Sequence, residues 1–88
     1  MTEKTIDQQL REDVKTLGGW SLKLSAAHVA GLPDRLVLLP GGRVIFVEVK
    51  GPGEKPRKLQ LIRHNQLRAL GFPVFVLDHT NQIKKILE

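Results

Sequence analysis

Gly31-Leu32-Pro33-Asp34-Arg35-Leu36-Val37-Leu38-Leu39, then Pro40-Gly41-Gly42, then Arg43-Val44-Ile45-Phe46-Val47-Glu48-Val49-Lys50 is the stretch that organises the rest of the chain. Two runs rich in leucine and β-branched residues flank a turn signal, which predicts a β-hairpin. If Pro40-Gly41-Gly42 is a three-residue loop, Leu39 faces Arg43. Counting outward in that register puts Asp34 opposite Glu48. A two-residue loop would instead put Asp34 opposite Val49. Directly opposed residues share a face with Cβ atoms roughly 5 Å apart, and like charges there destabilise a sheet unless something neutralises them. A hard divalent cation such as Mg²⁺, which prefers carboxylate oxygens, would do so. Lys50 lies two residues past Glu48 and so on the same face. Two carboxylates and an ammonium group then converge at one end of a sheet.

The chain has 88 residues and no cysteine, which excludes a disulfide framework and thiolate metal sites. One small domain, 1–88, is expected, with a radius of gyration of roughly 12 Å. Fourteen Lys+Arg against 9 Asp+Glu give a formal charge of +5, which suits a polyanionic partner. There is no apolar run long enough to span a membrane and no secretory leader, so a cytoplasmic location is expected.

Around the hairpin, Thr2 is placed to cap a helix whose first turn carries Glu3. Ile6, Leu10, Val14 and Leu17 follow at helical spacing until Gly18-Gly19. Glu3 lies three residues before Ile6, along the apolar stripe. Trp20, Leu22 and Leu24 alternate with Ser21, Lys23 and Ser25, the pattern of a half-buried strand. That alternation favours core or dimer packing for Trp20 over base stacking. The hairpin strands are apolar on both faces, as in a sheet covered on both sides. A basic loop, Gly51 to Lys58, leads to a second helix with Pro56 in its first turn. Leu59, Ile62, Ala69 and Leu70 form its expected inward stripe, with Leu67 beside it and Gly71 as the stop. Residues 72–77 form a last strand, and Thr80 is placed to cap a short helix carrying Ile83, Ile86 and Leu87. The order is α-β-β-β-α-β-α, with the crossover helix implying a right-handed parallel connection. The fold class is α/β, a mixed sheet flanked by helices.

With Asp34, Glu48 and Lys50 placed, the chain resembles the PD-(D/E)xK nuclease superfamily, and within it the VRR-NUC family. The resemblance rests on Gly31-Leu32-Pro33-Asp34, on Val47-Glu48-Val49-Lys50-Gly51, on a helix starting near Gln60, and on Gly71-Phe72-Pro73-Val74. It covers nearly the whole chain and implies a restriction-endonuclease-like α-β-β-β-α-β core. It also implies that Asp34, Glu48 and the Val49 carbonyl bind Mg²⁺, with Mn²⁺ as a substitute. Glu3 is implied beside the metal, with Asp7 as the fallback. Lys50 is implied to orient water or stabilise charge on the phosphate, and Gln60 to reach the site. The short chain is similar to the stand-alone form of phages and bacteria, which resembles Holliday-junction resolvases and acts as a homodimer on branched DNA.

Lys55, Arg57 and Lys58 follow the Glu48 strand closely and are placed to hold a phosphate backbone. Lys23 lies on the polar face of the first strand, where DNA contact and plain exposure are equally open. His28 precedes Pro33-Asp34 and could reach a substrate, although a loop histidine is more often structural. His64 and His79 have no evident partner, and the histidines form no zinc pattern. The expected activity is Mg²⁺-dependent cleavage of branched DNA. The alternatives are a nuclease for flaps, nicks or single strands, and a non-catalytic DNA-binding module.

Overall fold

A computed structural model describes residues 1–25 and 29–88. The elements are α1 (Glu3–Thr16), β1 (Trp20–Lys23), β2 (Arg35–Leu39), β3 (Arg43–Val49), α2 (Lys58–Ala69), β4 (Val74–Leu77), a 3₁₀ turn (Thr80–Gln82) and α3 (Ile83–Leu87). The sheet order is β1-β2-β3-β4, with the first two pairings antiparallel and β3–β4 parallel. This is the mixed α/β arrangement expected, and its radius of gyration is 12.2 Å.

The hairpin closes as a three-residue loop, with Leu39 paired to Arg43. Gly41 and Gly42 both have positive φ, 84° and 77°, a conformation that side chains with a Cβ rarely adopt. Arg35 pairs with Val47, so the same register carries Asp34 opposite Glu48.

Strand alternation sends the residues of β2 and β3 to two unlike faces. Val37, Leu39, Ile45, Val47 and Val49 turn toward α1 and α3 and join Ile6, Leu10, Val14, Ile83, Ile86 and Leu87 in the core. Thr2 caps α1 as expected, accepting a hydrogen bond from the Thr5 N–H at 3.2 Å. The other face carries Leu36, Leu38, Val44 and Phe46, which are half-buried, and then Glu48. Coverage of both hairpin faces is therefore unequal.

Several apolar residues depart from the sequence expectation. Leu17 is the C-terminal cap of α1 and is exposed. Trp20 is 69% exposed and Leu22 42%, because β1 is the edge strand; core packing of Trp20 does not occur. The stripe assigned to α2 is turned outward: Leu59, Ile62 and Leu70 are exposed, and His64 is the buried residue of that helix. Its inward face is Gln60, His64 and Leu67, spaced four and three residues apart. The reason lies beneath it, where the sheet presents a buried carboxylate that needs polar partners.

Pro56 precedes α2, whose N-terminal cap is Arg57. The last strand starts at Val74, and His79, not Thr80, caps the 3₁₀ turn through Nδ1, which accepts from the Asn81 N–H at 3.1 Å. His79 thus has a structural partner. Among the described residues, no helix is long and apolar enough to cross a membrane.

Candidate active site

A cavity of about 470 Å³ opens at the end of the sheet where β2 begins and β3 stops. Glu3, Asp34, Glu48, Val49, Lys50, Glu54, Lys55, Arg57 and Gln60 line it. The hairpin supplies Asp34 and Glu48, the chain leaving β3 supplies Lys50, and α1 and α2 bring Glu3 and Gln60 from either side. Asp34 is aimed by a backbone contact: its Oδ2 accepts the Val49 N–H at 2.8 Å. Gly31 sets up the approach to Asp34. Its φ is +83°, and a Cβ there would stand 2.9 Å from Leu59 Cγ, so the loop lies flat on α2. The Arg63 Nε–H donates to the Ala30 carbonyl at 2.9 Å and fastens the same loop.

Glu48 is 1% exposed, and both its oxygens have polar neighbours. Gln60 Nε2 donates to Oε2 at 3.2 Å, and Lys50 Nζ lies 3.8 Å from the same oxygen. His64 Nε2 lies 3.2 Å from Oε1. The Gln60 amide is itself fixed, because its Oε1 accepts the Arg57 N–H at 2.8 Å and leaves the NH₂ end for Glu48. Burial pushes the Glu48 carboxyl up from 4.5 to about 8, helped by the hydrogen-bonded, negatively charged Asp34 beside it and by Glu3, and opposed by Lys50. Burial also pushes His64 down, as do the charges of Arg68 and Lys50, while Asp34 acts the other way. Both shifts favour neutral His64, whose Nε2–H tautomer would donate to Glu48 once that carboxyl is ionised.

The cavity has an acidic floor and a rim of mixed charge, where exposed Glu3 and Glu54 stand beside Lys55 and Arg57. Glu48 and Asp34 are withdrawn, whereas Lys55 and Arg57 are exposed. Lys23 lies outside this cavity, in a smaller adjoining one that also touches Glu3, Lys4, Asp7, Asp34, Arg35 and Val49. Lys58 lines neither. Asp7 is not available as a substitute for Glu3. Its two oxygens accept from Arg35 Nε and Nη2 at 2.9 and 2.8 Å, and Arg11 adds a contact at 3.2 Å. One turn along α1 from Glu3, Asp7 lines the smaller adjoining cavity and not the one that holds Glu48. Among the described residues, no three His, Cys, Asp or Glu side chains form a metal-holding cluster. His28 lies outside the described residues.

This geometry has close counterparts. A solved structure described as a VRR_NUC domain superimposes with a TM-score of 0.88 at 36% identity, covering 98% of this chain and 95% of that one. The chain belongs to the VRR-NUC family. A curated phage protein, "Putative nuclease p44" of Acyrthosiphon pisum secondary endosymbiont phage 1, is 49% identical over 76 residues, 86% of this chain and 82% of its own. No protein-family model matches the chain.

Within this VRR-NUC fold, three site features escaped the sequence reading. His64 contacts Glu48 directly, and its signal was its place one helical turn after Gln60. Glu54 lines the cavity from a loop with no periodicity to mark it. Arg35, next to Asp34, holds Asp7.

Proposed function

We propose that this VRR-NUC protein is a Mg²⁺-dependent endonuclease that hydrolyses phosphodiester bonds in branched DNA, four-way junctions foremost, as a homodimer. The observation that carries the reading is the buried Glu48 held across the hairpin from Asp34 with Lys50 beside it, at the floor of a cavity that Lys55 and Arg57 also line. Burial, with the neighbouring Asp34 and Glu3 carboxylates adding to it, pushes Glu48 up to about 8, and a bound cation would favour its ionised form. The donor set fits a hard divalent ion. Asp34 and Glu48 would hold it with the Val49 carbonyl, and the open cavity leaves room for the waters that Mg²⁺ retains. Mn²⁺ would substitute. When bound, such an ion polarises a phosphoryl oxygen and lowers the pKa of a coordinated water.

The chain's own residues supply the rest. A water oxygen bonds to phosphorus as a bridging P–O bond breaks, and negative charge accumulates on the phosphate. Lys50, 3.8 Å from Glu48, places an ammonium where that charge grows and orients the water. Glu3 adds a carboxylate at the cavity wall, and Gln60 fixes Glu48. Lys55 and Arg57 hold the flanking backbone phosphates, and Lys23 and Lys58 extend that contact to either side. Paired cuts in a four-way junction call for two sites related by a two-fold axis, which a homodimer provides. Exposed apolar residues on α2 and on edge strand β1 supply surface suited to a protein contact.

The test is cleavage of a labelled four-way junction against linear duplex of the same sequence, with Mg²⁺, Mn²⁺ or EDTA, beside Lys50→Ala. Symmetric metal-dependent cuts that vanish in the variant support the full reading. Preferential cutting of linear, flap or single-stranded DNA keeps the nuclease and discards the junction. Binding without product under any metal favours the non-catalytic module.

A further inference from the structure

We infer that His64 is a positioning residue that makes Glu48 a one-oxygen ligand and thereby tunes the site toward Mg²⁺ and away from Ca²⁺. The inference rests on the metal reading proposed above. His64 is fully buried and does not line the cavity, so it touches neither substrate nor ion. Its Nε2 meets Glu48 Oε1 at 3.2 Å on the buried side. The other oxygen, Oε2, is shared by Gln60 and Lys50, both of which line the cavity. The two oxygens are thus sorted by their neighbours: the donor at Oε1 is buried outside the cavity, and both neighbours of Oε2 line it.

The ring's second nitrogen strengthens the assignment. Nδ1 is buried and has no hydrogen-bond partner among the described residues. A buried N–H there would be left with no acceptor, so the proton belongs on Nε2, where it points at Glu48. A histidine placed only to fill space has an apolar substitute; this one accepts an orphaned nitrogen and retains one directed bond.

The consequence follows from how the two ions take carboxylates. Mg²⁺ demands near-ideal octahedral geometry, which the narrow bite of a two-oxygen carboxylate does not fit. Ca²⁺ takes more ligands at longer range and accepts both oxygens of one carboxylate. Holding Oε1 against a buried donor outside the cavity disfavours the two-oxygen mode and leaves a ligand suited to the smaller ion. His64 and Gln60, four residues apart on one face of α2, therefore act as a two-point clamp on a single carboxylate.

Calorimetric titration of the full chain with MgCl₂ and with CaCl₂, without DNA, tests this for wild type, His64→Leu and His64→Gln. Loss of a partner that orients a metal ligand typically costs about 10–100-fold in affinity. His64→Leu is expected to lose Mg²⁺ affinity in that range and Ca²⁺ affinity much less, so the preference for Mg²⁺ narrows. His64→Gln, whose amide restores a donor near the Nε2 position, is expected to keep the preference. His64→Phe replaces His64→Leu if the latter fails to melt cooperatively. An unchanged Mg²⁺/Ca²⁺ ratio in a folded donor-less variant overturns the role of His64 and leaves the metal reading standing. A narrowed ratio in His64→Gln also overturns it, since the hydrogen bond would not be the cause. No divalent binding by wild type overturns the metal reading and this inference together.

Discussion

The two faces of the central sheet are built from the same strands and obey different rules. On the α1 side, Val37, Ile45 and Val47 are fully buried among Ile6, Leu10 and Val14, and the charges there, Arg35 and Asp7, pair with each other beside that core. On the α2 side, the next residue along β3 is Glu48, equally buried and held by Gln60 and His64. A shift of one residue along the strand separates a hydrophobic anchor from a carboxylate held against its solvation preference. In so small a domain, one face supplies nearly all the cohesion, which frees the other to carry an arrangement that contributes little stability of its own.

Ile45→Ala is the largest test of that division. Truncating a fully buried isoleucine costs about 2–5 kcal/mol, a large share of the roughly 5–15 kcal/mol that holds a domain together. Urea denaturation is expected to show a clearly lowered midpoint, with cleavage lost only in proportion to unfolding. A variant that melts like wild type would mean that the α1 face is not the anchor.

Lys50→Ala lies one step past the same strand and is expected to do the reverse. Removing one preorganised stabiliser of transition-state charge costs about 10²–10³ in turnover, while the melting temperature changes little. Full turnover would remove Lys50 from the chemistry.

Glu48→Gln sharpens the contrast through pH. The Glu48 carboxyl is raised from 4.5 to about 8, so the stability it confers in the metal-free protein is complete below 4.5 and is lost as pH rises through about 8. A glutamine stays neutral throughout. In EDTA, the variant and wild type are expected to melt alike near about pH 5, with the variant melting higher above about pH 8. Equal melting at both would show that the carboxylate is not under strain. For the same reason, Mg²⁺ binding to wild type is expected to release a proton and to tighten up to about pH 8.

The α1 face was more legible in the sequence than the α2 face, for a physical reason. Ile6, Leu10 and Val14 are apolar residues at helical spacing, and that spacing marked the buried stripe of α1, although hairpin strands apolar on both faces did not say which side would meet it. The register that joins Asp34 to Glu48 was legible only conditionally, because Pro40-Gly41-Gly42 allowed a two- or a three-residue loop and the Leu39–Arg43 pairing decides for three. On α2 the same reasoning failed. Leu59, Ile62 and Leu70 outvoted Gln60 and His64 in any count of hydrophobicity, yet the helix turns its polar residues inward. Hydrophobic periodicity cannot anticipate a face whose purpose is to satisfy a buried charge. Trp20 misled in a related way: alternation marks a strand but does not say that the strand is an edge. Asp7 lies one helical turn from Glu3, and it took the bidentate Arg35 contact to show that it is held outside the main cavity.

The smallest expected effect belongs to the outward apolar residues of α2. Leu61 is 47% exposed and Ile62 44%. Leu61→Gln removes no core contact and is expected to shift stability by within about 0.5 kcal/mol in dilute protein, as surface substitutions do. If a second copy covers this side, melting of wild type rises with protein concentration, because association stabilises only the folded chain. The variant would then lose that dependence while keeping its dilute-limit stability. A large loss at every concentration would instead show that Leu61 packs within its own chain and that the α2 face is a second core. The contrast between the faces therefore stands or falls on a residue that, within one chain, scarcely matters.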